Sequence, residues 1–149
     1  MSVISGAMNE SNAGMDWRRG KGMSDMETKK QVLIVDDSEF VRNYHSHILE
    51  QANFQVITAV DGGDGLEKLY TNPCDLVLSD INMSNMDGYE FIRRIRADKK
   101  YSALPIIIVS TESEAKDKTK GFAAGANLYL VKPCRPELVV ENVRLLLAA

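Results

Sequence analysis

Residues 32–38 read VLIVDDS, four apolar residues, three of them β-branched, closed by two aspartates and a serine. The run is too short for a helix and does not alternate with polar residues, which is how a strand covered on both faces reads. Runs of the same kind recur at 56–59, 76–78, 106–109 and 128–131. Helical spacing fills the gaps. Phe40, Val41, Tyr44, Ile48 and Leu49 share one face of the first helix. Phe91, Ile92 and Ile95 point inward from the third, with Arg93, Arg94 and Arg96 outward. Leu138, Val139, Val143 and Leu146 line the last, and Pro136 sits in its first turn, where proline is tolerated. Segments 62–70 and 114–124 are weaker helices, because Gly65 and Gly121 lower propensity. Five strands, each followed by a helix, predict an α/β fold: a parallel sheet with right-handed crossovers, covered on both faces.

The chain has 149 residues and 44% apolar content, enough for one sizeable core. A net charge of −3 argues against nonspecific nucleic-acid binding, which needs a basic surface. No apolar run approaches the roughly 20 residues that span a bilayer, and the polar, Gly/Ser-rich start lacks the apolar centre of a secretory signal. Cys74 and Cys134 form neither a metal spacing nor a disulfide framework. A cytosolic protein with reduced thiols is the simplest expectation. Residues 1–30 carry Gly6, Gly14, Gly20, Gly22 and five methionines without helical or strand period. Such a stretch cannot bury enough apolar surface to offset its ordering entropy. A flexible tail is expected there, ahead of a folded domain at 31–149, and Trp17 beside Arg18 and Arg19 is set aside as a docking motif.

In an open parallel sheet, ligands bind at the carboxyl ends of the strands, near the point where strand order reverses. Asp36 and Asp37 follow the first predicted strand, Asp80 the third, Ser110 and Thr111 the fourth, and Lys132-Pro133 the fifth. Three close carboxylates repel one another and raise a pKa unless compensated. A hard cation such as Mg²⁺, which keeps several waters, suits an oxygen-rich set of this kind. It also holds a phosphate oxygen during phosphoryl transfer. Lys132 offers a positive charge to a second oxygen, and a serine hydroxyl can donate to a third. The remaining carboxylate is then the nucleophile. Chemistry alone leaves all three aspartates open; Asp80 is favoured because it stands alone after the central strand. Each part has a plainer reading: an Asp pair often caps a helix, Lys-Pro makes a turn, and Ser bonds locally. Their joint placement on one sheet edge is what speaks for a site.

VLIVDDS at 32–38, Asp61-Gly62, DINMSNMDG at 80–88, Val109-Ser110 and YLVKP at 129–133 resemble the receiver domains of two-component response regulators. Among these the stretches resemble the small stand-alone chemotaxis regulator. The strand-end rule already counts such proteins among its examples, so rule and resemblance overlap. The resemblance covers residues 31–149 and implies a flavodoxin-like sheet of order 2-1-3-4-5 with five helices. It implies that Asp80 is the phosphoacceptor, and that Asp37, Asp80 and the main-chain carbonyl of Asn82 bind Mg²⁺, with Asp36 helping through water. Ser110 is then the switch hydroxyl, Tyr129 the coupled switch aromatic, and Lys132, in a cis bond to Pro133, the partner of the phosphoryl group. The output surface is the face of the fourth helix, fifth strand and fifth helix. A histidine kinase or histidine phosphotransfer protein is the implied phosphodonor, and a further protein the implied target, with no nucleic acid or membrane involved. Three positions depart from the family pattern. Ser84 replaces a common proline and should loosen its loop, Thr111 replaces a smaller residue, and Cys134 a larger apolar one.

A stand-alone phosphorylation switch is the leading expectation, since no output domain follows Leu147. A phosphate sink, a phosphorelay intermediate and a receiver fragment of a larger regulator are the alternatives. Aspartyl-phosphate phosphatases need an Asp-x-Asp pair, and Asn82 stands two residues after Asp80. No enzyme is therefore expected beyond catalysis of the chain's own phosphorylation and dephosphorylation. The glycine-rich stretch 61–65 lacks the Lys-Ser/Thr ending of a nucleotide loop and reads as a tight turn. His45 and His47 read as a solvated pair, Arg93, Arg94 and Arg96 as a solvated face, and Cys134 as a thiol near the site.

Overall fold

A computed structural model describes residues 29–148, so the expectation for the N-terminal tail falls, for residues 1–28, outside the described residues. Among the described residues five strands and five α-helices alternate: β1 (Gln31–Val35), α1 (Glu39–Gln51), β2 (Gln55–Ala59), α2 (Gly62–Thr71), β3 (Leu76–Ser79) and α3 (Gly88–Ala97), then β4 (Ile106–Ser110), α4 (Ala115–Ala124), β5 (Leu128–Val131) and α5 (Pro136–Ala148). A short 3₁₀ turn, Lys99–Tyr101, follows α3. The strands pair in parallel in the order β2-β1-β3-β4-β5, as the resemblance implied.

The two-residue side-chain period of a strand splits the core into two layers. Leu33, Val35, Val77, Ile106 and Ile108 face Leu69 of α2, Phe91, Ile92 and Ile95 of α3, and Ala124 of α4. Val32, Ile34, Leu76, Leu78, Ile107 and Val109 face Leu49 of α1 and Val139 and Val143 of α5. The three central strands are buried on both faces, and the edge strands β2 and β5 only in part. No described helix is long and apolar enough to cross a membrane.

Each helix follows a strand along the chain, and three have an N-cap side chain that accepts from the first turn. Ser38 Oγ accepts from Val41 N–H at 3.2 Å, Asp61 from Asp64 N–H at 2.9 Å and Asp87 from Glu90 N–H at 2.9 Å. The glycine-rich stretch at 61–65, read as a tight turn, is thus the cap and first turn of α2, the helix expected over 62–70.

Two helix faces differ from their predicted orientation. In α1, Phe40 is 78% exposed and Tyr44 39%, while His45 and Leu49 are buried. The inward stripe runs through 41, 45, 48, 49 and 52, so His45 is not solvated, although His47 is exposed. In α3, Arg93 and Arg94 are exposed and pair with Glu90, whereas Arg96 is half-buried. Its guanidinium donates to the carbonyls of Gly125 (3.0 Å) and Tyr101 (2.8 Å) and to Asn127 Oδ1 (2.9 Å). Arg96 is a structural tie between segments about 30 residues apart, read from Gly125 and Asn127, and not part of a solvated face.

Candidate functional site: an acidic cluster at the strand ends

The acidic residues are held by the same ladder that makes the sheet. Asp36 N–H donates to Ala59 O at 3.2 Å, Asp80 N–H to Val35 O at 3.0 Å, and Lys132 N–H to Ser110 O at 2.8 Å. Each side chain therefore leaves the sheet at the carboxyl end of a strand. Carboxylate oxygens of Asp36, Asp37 and Asp80 all lie within 4.8 Å of one another. Lys132 Nζ bridges two of them, 2.9 Å from Asp36 Oδ2 and 3.2 Å from Asp80 Oδ2. Asp36 is 3% exposed, and its Oδ1 accepts from Ser38 N–H at 2.9 Å. Asp37 is exposed. Asp80 Oδ1 accepts from Ile81 N–H at 2.7 Å.

Burial pushes the Asp80 carboxyl above its ordinary range and the charge of Asp36 adds to this, against the pull of Lys132 and the Ile81 N–H. Burial also works to depress the Lys132 ammonium. The hydrogen bond to Asp36 and the charge of Asp80 outweigh it and hold that pKa above the usual lysine value. Three carboxylates against one ammonium leave the cluster acidic. Its donors are all hard oxygens and one of them is solvent-facing, so the set fits a divalent cation that retains waters, as Mg²⁺ does.

Ser110, Tyr129 and Asn82 converge on Glu112, a residue the sequence reading passed over. Glu112 N–H donates to the fully buried Ser110 Oγ at 3.1 Å. Tyr129 Oη donates to Glu112 O at 2.7 Å, and Asn82 Nδ2 to Glu112 Oε2 at 2.9 Å. Burial, with neighbouring Tyr89, pushes the Tyr129 hydroxyl up to about 12, so it stays a protonated donor. Nothing in the sequence marks Glu112 beyond its place two residues after Ser110.

Hydrogen bonds cross the loop after Asp80, which carries Ser84. Asn85, at φ 69°, donates from Nδ2 to Asp61 Oδ2 at 2.9 Å, and Met86 N–H donates to Ser84 O at 2.8 Å. Gly88 N–H donates to Ile81 O at 2.8 Å, and a Cβ on Gly88 would meet Ile81 Cα at 2.7 Å and the Asp80 carbonyl. Only glycine permits that approach. The Lys132-Pro133 bond is cis. Cys134 is half-buried, and burial raises its thiol pKa while Lys132 opposes.

A family model described as the response regulator receiver domain matches residues 32–144. Protein PilH of Pseudomonas aeruginosa is 36% identical over 118 residues, which span 79% of this chain and 98% of PilH. The probable transcriptional regulator ycf27 of Guillardia theta is 36% identical over 123 residues, 83% of this chain but 47% of that protein. Among solved structures, the chemotaxis response regulator CheY4 of Vibrio cholerae superposes with a TM-score of 0.76 at 38% identity, covering 80% of this chain and 99% of CheY4.

Proposed function

Because the chain belongs to the response regulator receiver domain family, we propose that it accepts a phosphoryl group on Asp80 from a histidine kinase or histidine phosphotransfer protein and answers by changing its α4–β5–α5 face to control a partner. The observation that supports this reading is the bridge that Lys132 makes between Asp36 and Asp80, inside a cluster of three carboxylates. Asp80 is the nucleophile: its carboxylate forms the new P–O bond as the donor's bond to phosphorus breaks. Lys132, already 3.2 Å from that carboxylate, re-aims over a short distance to a phosphoryl oxygen.

Asp36, Asp37 and Asp80, with the main-chain carbonyl of Asn82, would hold Mg²⁺. The bound ion supplies positive charge to the acidic cluster and to phosphoryl oxygens. A phosphoryl group brings about −1.5 to −2 charges. Ser110 gives up the Glu112 N–H to donate to it, and Tyr129, bonded to the carbonyl of the same residue, shifts with the loop. The new contacts bias an equilibrium between two arrangements that exist beforehand.

Incubation with Mg²⁺ and acetyl phosphate should label the parent chain and leave Asp80→Asn unlabelled. Equal labelling of both would defeat the assignment. Beryllofluoride-loaded protein should retain a target that unloaded protein does not, which separates the switch from a phosphate sink. Hydrolysis of p-nitrophenyl phosphate should stay at background.

A further inference from the structure

A cavity of about 400 Å³ opens next to the acidic cluster, between the first turns of α1 and the segment that carries Lys132, Pro133 and Cys134. Small-molecule sites have this size and combine apolar walls with a few polar groups. His45 lines it and is anomalous. It is 5% exposed, and among the described residues no hydrogen bond reaches its imidazole, whose ring is 5.5 Å from that of Tyr44. A buried polar group without a partner is costly, and a ligand's hydrogen bond removes that cost. Phe40 and Tyr44, which also line the cavity, present uncovered aromatic surface to water.

We propose that this cavity binds a small neutral aromatic molecule carrying one hydrogen-bonding nitrogen or hydroxyl on its rim, set against Phe40 and Tyr44 and bonded to His45. The surroundings select for neutrality. The one ammonium in the wall, Lys132, is already engaged by Asp36 and Asp80. Lys132, the one charged side chain that lines the cavity, repels a cation, and the two carboxylates that hold its ammonium leave little uncompensated positive charge for an anion. Burial keeps the imidazole itself uncharged at neutral pH. A neutral imidazole presents a donor or an acceptor according to its tautomer, so either kind of rim group is served. The aromatic pair supplies stacking area.

Indazole, neutral and bicyclic with N–H and N on one edge, is the probe, added to the full chain without phosphodonor. Alkylation of Cys134 by iodoacetamide, followed by mass spectrometry, reports occupancy. Cys74, its thiol pushed up to about 11 by burial, is the internal reference. Saturating indazole should slow Cys134 labelling at least tenfold, leave Cys74 unchanged, and shift the His45 ring-nitrogen signals in NMR. His45→Leu should weaken binding about tenfold, the worth of one neutral hydrogen bond, and His45→Gln should restore most of it. Unaltered Cys134 labelling at the solubility limit overturns the proposal, as does full affinity in His45→Leu. The first readout needs no variant, so it holds whether or not the substitutions fold.

Discussion

Asp36, Asp80 and Gly88 are held by backbone: two ladder hydrogen bonds, and a carbonyl packed where no Cβ fits. The flank at Glu112 is held by three side chains, those of Ser110, Tyr129 and Asn82, on a loop open to solvent at Thr111 and Ser113. Charge placed on the first region stays where the sheet puts it. The second can exchange a few hydrogen bonds for others without disturbing the core. A switch needs both kinds of construction, a fixed receptor and a flank whose bonds are individually weak.

The contrast is tested most severely at Gly88. Gly88→Val drives a side chain into the Asp80–Ile81 backbone and should cost about 4 kcal/mol in urea unfolding. A variant as stable as its parent would show that the floor yields like the flank. Next comes His45, which belongs with the floor because its charged neighbours are Lys132 and Asp36. Burial first, then Lys132, hold its pKa down at about 4 against an ordinary 6.5, with Asp36 opposing. Below pH 6.5 the unfolded chain takes up a proton that the folded chain refuses until about pH 4. Stability present above pH 6.5 is therefore lost as the pH falls towards 4, on the order of 3 kcal/mol. His45→Leu should flatten that acid limb of the urea midpoint; an unchanged limb assigns it to other groups.

On the flank the effects shrink. Tyr129→Phe deletes the bond to Glu112 O and should lower stability by about 1 kcal/mol while speeding amide hydrogen exchange in the 111–114 loop. A loss as large as that at Gly88 would erase the distinction between the regions. Asn82→Ala removes an exposed bond, and its unfolding midpoint should stay within about 0.5 kcal/mol of the parent, with the Glu112 side chain alone gaining mobility by NMR.

The central strands were legible because Val32–Val35, Ile106–Val109 and their neighbours are apolar without interruption, and only burial on both faces accounts for that. Asp36, Asp37, Asp80 and Lys132 were legible as strand-end residues once the strands were placed. Helix α1 was misjudged because Phe40 and Tyr44 are apolar by type. Its actual phase puts a histidine in the inward stripe, where hydropathy gives no sign of it. Arg96 was masked by Arg93 and Arg94, since its acceptors at Gly125 and Asn127 come near only after folding. Glu112 was missed for the same reason: the partners that give it meaning lie 17 and 30 residues away along the chain.

Glu112 is gripped on both sides of its α-carbon, its N–H by Ser110 and its C=O by Tyr129. Two dihedral angles of a single residue thus aim both contacts, φ on the side of the N–H that meets the hydroxyl and ψ on the side of the C=O that meets the phenol.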